Sequence, residues 1–139
     1  MDKFKEIRPI AIGIVKKGNK ILVGEGFDKV KNQTFYRSLG GGIEFLETSK
    51  EALKREFKEE LNIDIEVKEL LSVKENIFTY KGKDAHEIVF LYNVEMKDED
   101  VKERYHIIDT CESDAVWVDI DDFKNNKKII YPENTVKYL

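Results

Sequence analysis

Short apolar runs rich in β-branched residues, separated by polar turns, dominate the N-terminal part of the chain. Ile7–Val15 has the sequence IRPIAIGIV, Ile21–Val23 is ILV, and the intervening Gly18-Asn19 is a turn signal. This pattern predicts two strands paired antiparallel. A further short strand is predicted over Phe35–Leu39, and it leads into a loop formed by Gly40–Gly42.

A helical period replaces the strand pattern after the glycines. Thr48 or Ser49 is the predicted N-cap, and Glu51 stands three residues after Thr48, as in a capping box. Asn62 follows the last apolar residue, and asparagine tolerates the left-handed backbone that often ends a helix. The apolar stripe of this helix comprises Ala52, Leu53, Phe57 and Leu61.

Strand-like segments return after the helix. A short helical segment is predicted over Asp119–Asn125, and Pro132 is suited to open a last one. Many strands around one strong helix predict an α/β (α+β) domain with a mixed sheet. The predicted strands are Ile63–Val67, a second extended stretch made of Glu69–Val73 and Glu75–Tyr80, then Glu87–Val94 and Ala115–Val118.

Composition narrows the class of protein. With 139 residues, 41% hydrophobic and 37% charged, we expect residues 1–139 to form one ordinary globular domain. The formal net charge of -4 gives no broad basic surface for nucleic acid. We expect no membrane association and a reducing, cytoplasmic setting, since the chain has no signal core or spanning apolar run. Cys111 is the only cysteine, which excludes an internal disulfide and a Cys-rich zinc site.

Acidic residues crowd one short stretch of the predicted helix, where Arg55, Glu56, Glu59 and Glu60 fall within six positions. Like charges three or four residues apart on a helix destabilise it. Such a cluster is therefore either a solvated face or a site that binds a cation.

The residues around this cluster favour the cation. Carboxylates are the ligands that Mg²⁺ and Mn²⁺ prefer, and glycines let the backbone approach a ligand closely. Arg55 is placed to pair with Glu59, one turn away, or with Glu47 across the loop, which would fix a carboxylate rotamer. Together these features describe a site where metal ions neutralise a polyphosphate and position an attacking water.

The spacing of these residues resembles the Nudix box, G-x5-E-x7-R-E-U-x-E-E-x-G-U, where U is bulky and apolar. The chain departs from it at Asn62, which replaces the final glycine, and from looser preferences at Leu39, often proline, and Leu46, often glycine. Gly40-Gly41 followed by Glu44, and a strand containing Trp117-Val118, also resemble the family. The matching positions are Gly41, Glu47, Arg55, Glu56, Phe57, Glu59, Glu60 and Ile63. The chain is thus identified as a member of the Nudix (MutT-like) family.

This resemblance implies a fold and a reaction. The fold is a Nudix-type α/β/α sandwich with a mixed β-sheet and a central loop–helix–loop motif, the box spanning about residues 41–63. Nudix enzymes hydrolyse a nucleoside diphosphate linked to another moiety, X. They use a divalent metal, usually Mg²⁺ with Mn²⁺ as the alternative, and water attacks a phosphorus.

The resemblance also assigns roles to residues. The metal ligands implied are Glu56, Glu59 and Glu60, with Glu60 the preferred direct ligand and the Gly41 carbonyl an additional one. Arg55 becomes the orienting residue, with Glu47 its electrostatic partner. The general base is left open among Glu59, Glu87 and Glu112, and for the last two an ordinary strand-end charge is the alternative.

The substrate pocket is less well marked. Its candidate residues are Tyr36, Arg37, Glu44, Phe78 and Tyr80, for which strand packing is the alternative. The resemblance implies a small-molecule nucleoside diphosphate derivative as partner. The proline typical of ADP-ribose hydrolases is absent, with Thr79 sixteen positions past Ile63, so X stays unidentified.

Two further questions stay open at the level of sequence. Family members are often dimers, so a homodimer is an alternative to a monomer. A non-catalytic nucleotide-binding or regulatory module on the same fold is the alternative function. The intact carboxylate array argues against that module, because such modules often lose these carboxylates.

Overall fold

The computed structural model describes residues 5–80, 82–108 and 113–139, with the backbone alone at Tyr80. These residues form a nine-stranded mixed sheet and two α-helices. Short 3-10 segments follow β6 and β9, at Asp98–Asp100 and Glu133–Tyr138. The elements are β1 Ile7–Lys17, β2 Lys20–Asp28, β3 Gln33–Arg37, β4 Leu39–Gly42, α1 Ser49–Leu61, β5 Ile65–Tyr80, β6 Lys83–Met96, β7 Arg104–His106, β8 Asp114–Asp119, α2 Ile120–Lys124 and β9 Ile130–Tyr131.

Strand β1 is the junction of the sheet. Its first part lies parallel to β6 and antiparallel to β4, and its last residues form the predicted antiparallel hairpin with β2. Strand β2 then pairs with β3 and β8, β7 pairs with β8, and β9 lies parallel to β3. The resulting sheet mixes parallel and antiparallel pairs, as predicted.

Apolar clusters cover both faces of the sheet. Successive residues of β1 point to opposite sides and take part in one cluster or the other. Ala11 and Val15 pack in one cluster with the apolar stripe of α1, and we call this side the α1 face. Ile12 and Ile14 pack in a second cluster with Phe123 of α2, and we call this side the α2 face. The predicted α/β/α layering is therefore confirmed.

Helix α1 begins and ends as its sequence predicts. The Thr48 side chain accepts from the Glu51 N–H, and the Glu51 carboxylate accepts from the Thr48 N–H, each at 3.1 Å. Asn62 adopts the left-handed conformation, with φ 57°, and its N–H donates to the Lys58 carbonyl. Neither helix of the described residues is long and apolar enough to cross a membrane.

Two sequence predictions need correction, and one strand was missed. The two extended stretches predicted after α1 form one strand, β5, which begins at Ile65 instead of Ile63 and has an irregular register between Val67 and Ser72. The glycines predicted as a loop are part of β4, because the absence of side chains lets this strand pair closely with β1. Strand β7 was not predicted, since its three residues are too few to show a period.

Candidate functional site

Arg55 on α1 organises the acidic cluster through five hydrogen bonds. Its Nε and Nη2 donate to the two carboxylate oxygens of Glu47, at 2.7 and 2.9 Å. Nη2 also donates to the Gly42 carbonyl at 2.9 Å, which joins the helix to β4. Nη1 donates to Glu56 at 3.0 Å and to Glu59 at 3.2 Å. Every N–H of the guanidinium is thereby engaged.

These contacts explain how the chain tolerates the acidic crowding. Arg55 lies between Glu56 and Glu59, so it offsets part of the repulsion that the sequence suggested a metal would relieve. The hydrogen bond from Arg55, together with the Glu44 N–H, lowers the pKa of Glu47 to about 2. The same bond from Glu47 raises the pKa of Arg55 above its ordinary value, although burial opposes this. Both groups are ionised at neutral pH.

Glu56 lies against the backbone of Gly41. A Cβ at this glycine would be 2.5 Å from the Glu56 carboxyl carbon and 2.7 Å from each carboxylate oxygen. The carboxylate therefore occupies the space that any side chain at this position would fill. Helix α1 thus places an acidic group directly on strand β4, on the α1 face of the sheet.

The donor chemistry of this cluster fits a hard divalent cation. Arg55 binds one oxygen of Glu56 and one of Glu59, and the other oxygen of each accepts no hydrogen bond from the described residues. Glu60 is half-buried in the last turn of α1, and its carbonyl accepts the N–H of Ile108 at 3.0 Å. In the part of the chain that the structure describes, no three acidic, histidine or cysteine side chains are arranged so that they could hold a metal ion. The residue types therefore fit a cation, while their arrangement is that of an Arg55-bound state.

Glu87 lies elsewhere, beside an arginine that was not among the predicted site residues. It sits on β6 directly opposite Arg8 of β1, and Glu87 Oε2 is 4.0 Å from Arg8 Nη1. Both side chains are on the α2 face, whereas Glu56 is on the α1 face. Burial raises the pKa of Glu87, and Arg8 opposes that rise. In the sequence, Arg8 is recognisable only as a single charge at the start of an apolar strand. Its proximity to Glu87 arises from the parallel pairing of β1 with β6, which the sequence does not indicate.

The predicted substrate-binding residues are dispersed. Tyr36 is buried, and its ring contacts Phe123 of α2 edge-on, so this burial argues against a substrate contact. Arg37 lies on the α1 face over Gly24, and its Nη2 is 3.4 Å from Ser113 Oγ.

The remaining candidates lie on different elements. Glu44 is exposed, and its carboxylate is 3.8 Å from Arg55 Nη1. Phe78 is partly exposed on β5, on the same side of the sheet as Glu87. Glu112, Cys111 and the Tyr80 side chain lie outside the described residues.

The loop before α1 contains a strained residue, Leu46, with φ 69°. A left-handed conformation costs a non-glycine residue about 1 kcal/mol or more. The Leu46 side chain is 90% exposed, so little packing offsets this strain. We expect Leu46→Gly to raise the free energy of unfolding by about 0.5–1 kcal/mol, measured by urea denaturation.

Phe45 supplies the matched control. It is 93% exposed but has no positive φ, so Phe45→Gly should give no such gain. An equal effect of both substitutions would show that loss of an exposed apolar side chain, and not backbone strain, is responsible.

Comparison with known proteins gives a consistent result. A family model described as the NUDIX domain matches residues 7–137. The chain is similar in structure to the mMutator MutT protein of Bacillus halodurans, with 16% identity and a TM-score of 0.67, covering 95% of this chain and 80% of that chain.

Two further solved structures are similar at comparable levels. A MutT NUDIX hydrolase from Burkholderia pseudomallei shares 20% identity with a TM-score of 0.59, covering 84% of this chain and 86% of that chain. An ADP-ribose pyrophosphatase from Streptococcus suis shares 14% identity with a TM-score of 0.62, covering 95% and 86%. At these identities the structural likeness shows a common fold.

Proposed function

The chain belongs to the NUDIX domain family and is a hydrolase acting on pyrophosphate bonds, and we propose that it cleaves a small nucleoside diphosphate derivative with the help of a divalent metal. The observation that carries this proposal is the cluster in which Arg55 binds Glu47, Glu56, Glu59 and the Gly42 carbonyl. It places several carboxylates beside a strand of glycines. That combination suits the binding of a metal and a diphosphate together.

The metal would be Mg²⁺, with Mn²⁺ as the alternative. Glu56, Glu59 and Glu60 would hold it, with the Gly41 carbonyl as an additional ligand. When bound, such a metal neutralises phosphate charge and increases the acidity of a coordinated water. The two bonds from Arg55 to Glu47 keep the loop before α1 and the helix together, so the carboxylates are oriented before substrate arrives.

The general base is proposed among three glutamates. Glu59 is favoured, because its side chain is 59% exposed and lies in the same Arg55-centred cluster as Glu56. An exposed carboxylate at this place is able to accept a proton from the attacking water. Glu87 and Glu112 are the other candidates, and Arg37, Glu44, Phe78 and Tyr80 are proposed to line the substrate pocket.

A substrate panel tests this function. Purified protein is incubated with ADP-ribose, sugar nucleotides, dinucleoside polyphosphates and nucleoside triphosphates, first in EDTA and then with Mg²⁺ or Mn²⁺. We expect hydrolysis of at least one compound, dependent on metal, with two phosphate-containing products identified by mass spectrometry. Nucleotide binding without metal-stimulated cleavage across the panel would instead favour the non-catalytic module.

A further inference from the structure

We propose that Arg8 is a substrate-positioning residue that binds a phosphate of the diphosphate on the α2 face of β4, with Glu87 holding its guanidinium in place. This inference rests on the proposed function and adds a residue outside the Nudix box. It divides the recognition of substrate between the two faces of a glycine strand.

The location follows from the backbone of β4, where Gly41 and Gly42 point to opposite faces. The space beside Gly41 is filled by Glu56, as described above. On the other side, Arg8 Nη2 lies 3.4 Å from the position that a Cβ of Gly42 would take. The Gly42 carbonyl meanwhile accepts from Arg55 Nη2 at 2.9 Å. Two guanidinium groups therefore approach the same glycine.

Arg55 and Arg8 differ in how many guanidinium N–H groups remain available to bind a phosphate. All the N–H groups of Arg55 are engaged by protein acceptors, so this residue has none to offer a phosphate. Arg8 is 48% exposed, and its guanidinium donates no hydrogen bond to the described residues. Its one partner there, the Glu87 carboxylate, is at 4.0 Å, which is too long for a hydrogen bond. Arg8 thus retains the planar donor pattern that matches phosphate oxygens.

The negative charge of the acidic cluster means that positive charge is needed nearby if a diphosphate is to bind. The cluster around Arg55 contains the carboxylates of Glu44, Glu47, Glu56 and Glu59, which together would repel a diphosphate. A metal would offset part of this repulsion on the α1 face. Arg8 supplies positive charge on the other face of the same strand.

Glu87 is better explained as a positioning group than as a stabilising ion pair. An ion pair whose arginine is 48% exposed and whose charges are 4.0 Å apart contributes little to stability. The Glu87 side chain is nevertheless only 16% exposed. Burying a carboxylate is unfavourable without a compensating role. Restricting the Arg8 guanidinium by charge attraction is such a role, since an arginine of restricted mobility loses less entropy when it binds phosphate.

The proposal is tested by steady-state kinetics on the panel compound that is cleaved most efficiently. Arg8→Ala should raise KM at least about tenfold and change kcat less than about threefold, because it removes a charged hydrogen-bond donor used in binding. Arg8→Lys should recover part of the loss. Lys17→Ala is the matched control, since Lys17 is a paired cation at the opposite end of β1, 2.6 Å from Asp98, and it should leave KM unchanged. An unchanged KM in Arg8→Ala overturns the proposal.

A binding measurement separates this inference from the proposed reaction. Calorimetric titration with inorganic pyrophosphate, in EDTA and then with Mg²⁺ to offset the carboxylate charge, needs no turnover, so it remains informative if the panel gives no substrate. Wild type and Lys17→Ala should bind equally, and Arg8→Ala at least about tenfold more weakly. Equal binding by wild type and Arg8→Ala, or none by wild type, contradicts the phosphate contact.

Glu87→Gln separates positioning from base catalysis. If Glu87 acts by positioning Arg8, Glu87→Gln should raise KM in the same direction as Arg8→Ala, and an unchanged KM overturns this role. A fall in kcat of a hundredfold or more would identify Glu87 as the general base and overturn its role as the holder of Arg8.

Discussion

Replacing Glu60 by glutamine is expected to lower kcat by about a thousandfold while the protein stays folded. Glutamine keeps the shape of the side chain but removes the anionic oxygen that a hard divalent cation requires. Losing one such electrostatic contribution to a transition state typically costs a factor of about 10² to 10³. The measurement is kcat at saturating Mg²⁺ on the compound identified by the panel, with melting temperature recorded for each variant.

Glu51→Gln is the control for this experiment. Glu51 is on the same helix, but its carboxylate closes the capping box with Thr48, and glutamine is accepted at that position. We expect normal kcat and nearly normal stability. If Glu60→Gln retained near-wild-type turnover while binding Mg²⁺ normally, Glu60 would have no role as a ligand.

Alanine substitutions at two adjacent glycines are expected to have different effects, one mainly on stability and the other mainly on activity. Gly40→Ala should destabilise the fold by about 3 kcal/mol or more, because its φ is 143° and the new Cβ would lie 2.0 Å from the Ala11 carbonyl oxygen. Backbone cannot move aside cheaply at a paired strand. Gly41→Ala should cost less than about 1 kcal/mol, because its Cβ meets only the flexible end of Glu56.

The order of the activities should be the reverse: Gly41→Ala, the more stable variant, should have the lower kcat per folded molecule. Gly41→Ala displaces the Glu56 carboxylate, and a shift of this kind lowers kcat by about tenfold to a hundredfold. Urea denaturation gives the free energy of unfolding for each variant, and kcat is measured on the folded fraction. Full activity in a folded Gly41→Ala protein would show that the position of Glu56 on β4 does not matter for the reaction.

Much of the candidate site was predictable because its parts are close in sequence. Helix α1, its Thr48 cap and its Asn62 end depend on side-chain and backbone contacts within a few residues. The grouping of Arg55, Glu56 and Glu59 follows from the helical repeat alone. The pairing of Arg55 with Glu47 was one of two alternatives, and the structure contains both pairings at once.

Other parts were not predictable because they depend on which strands become neighbours. Three glycines are typical of a loop, and only their pairing with β1 makes them a strand. Tyr36 was a candidate for substrate contact until the packing of α2 buried its ring. Phe78 and Glu87 share a side of the sheet only because β5 and β6 pair in one register.

The sequence by itself indicated the reaction class through its resemblance to the Nudix box, because the spacing of Gly41, Glu47 and the Arg55–Glu60 cluster is a local pattern within one loop and one helix. Tertiary structure alone decided which charges share a face. Parallel pairing of β1 with β6 places Arg8 beside Glu87, and antiparallel pairing of β1 with β4 places Arg8 near Gly42. The physical reason is that helical contacts arise within one turn of chain. Contacts across a sheet depend instead on register between segments dozens of residues apart, and a shift of one residue would reverse every face.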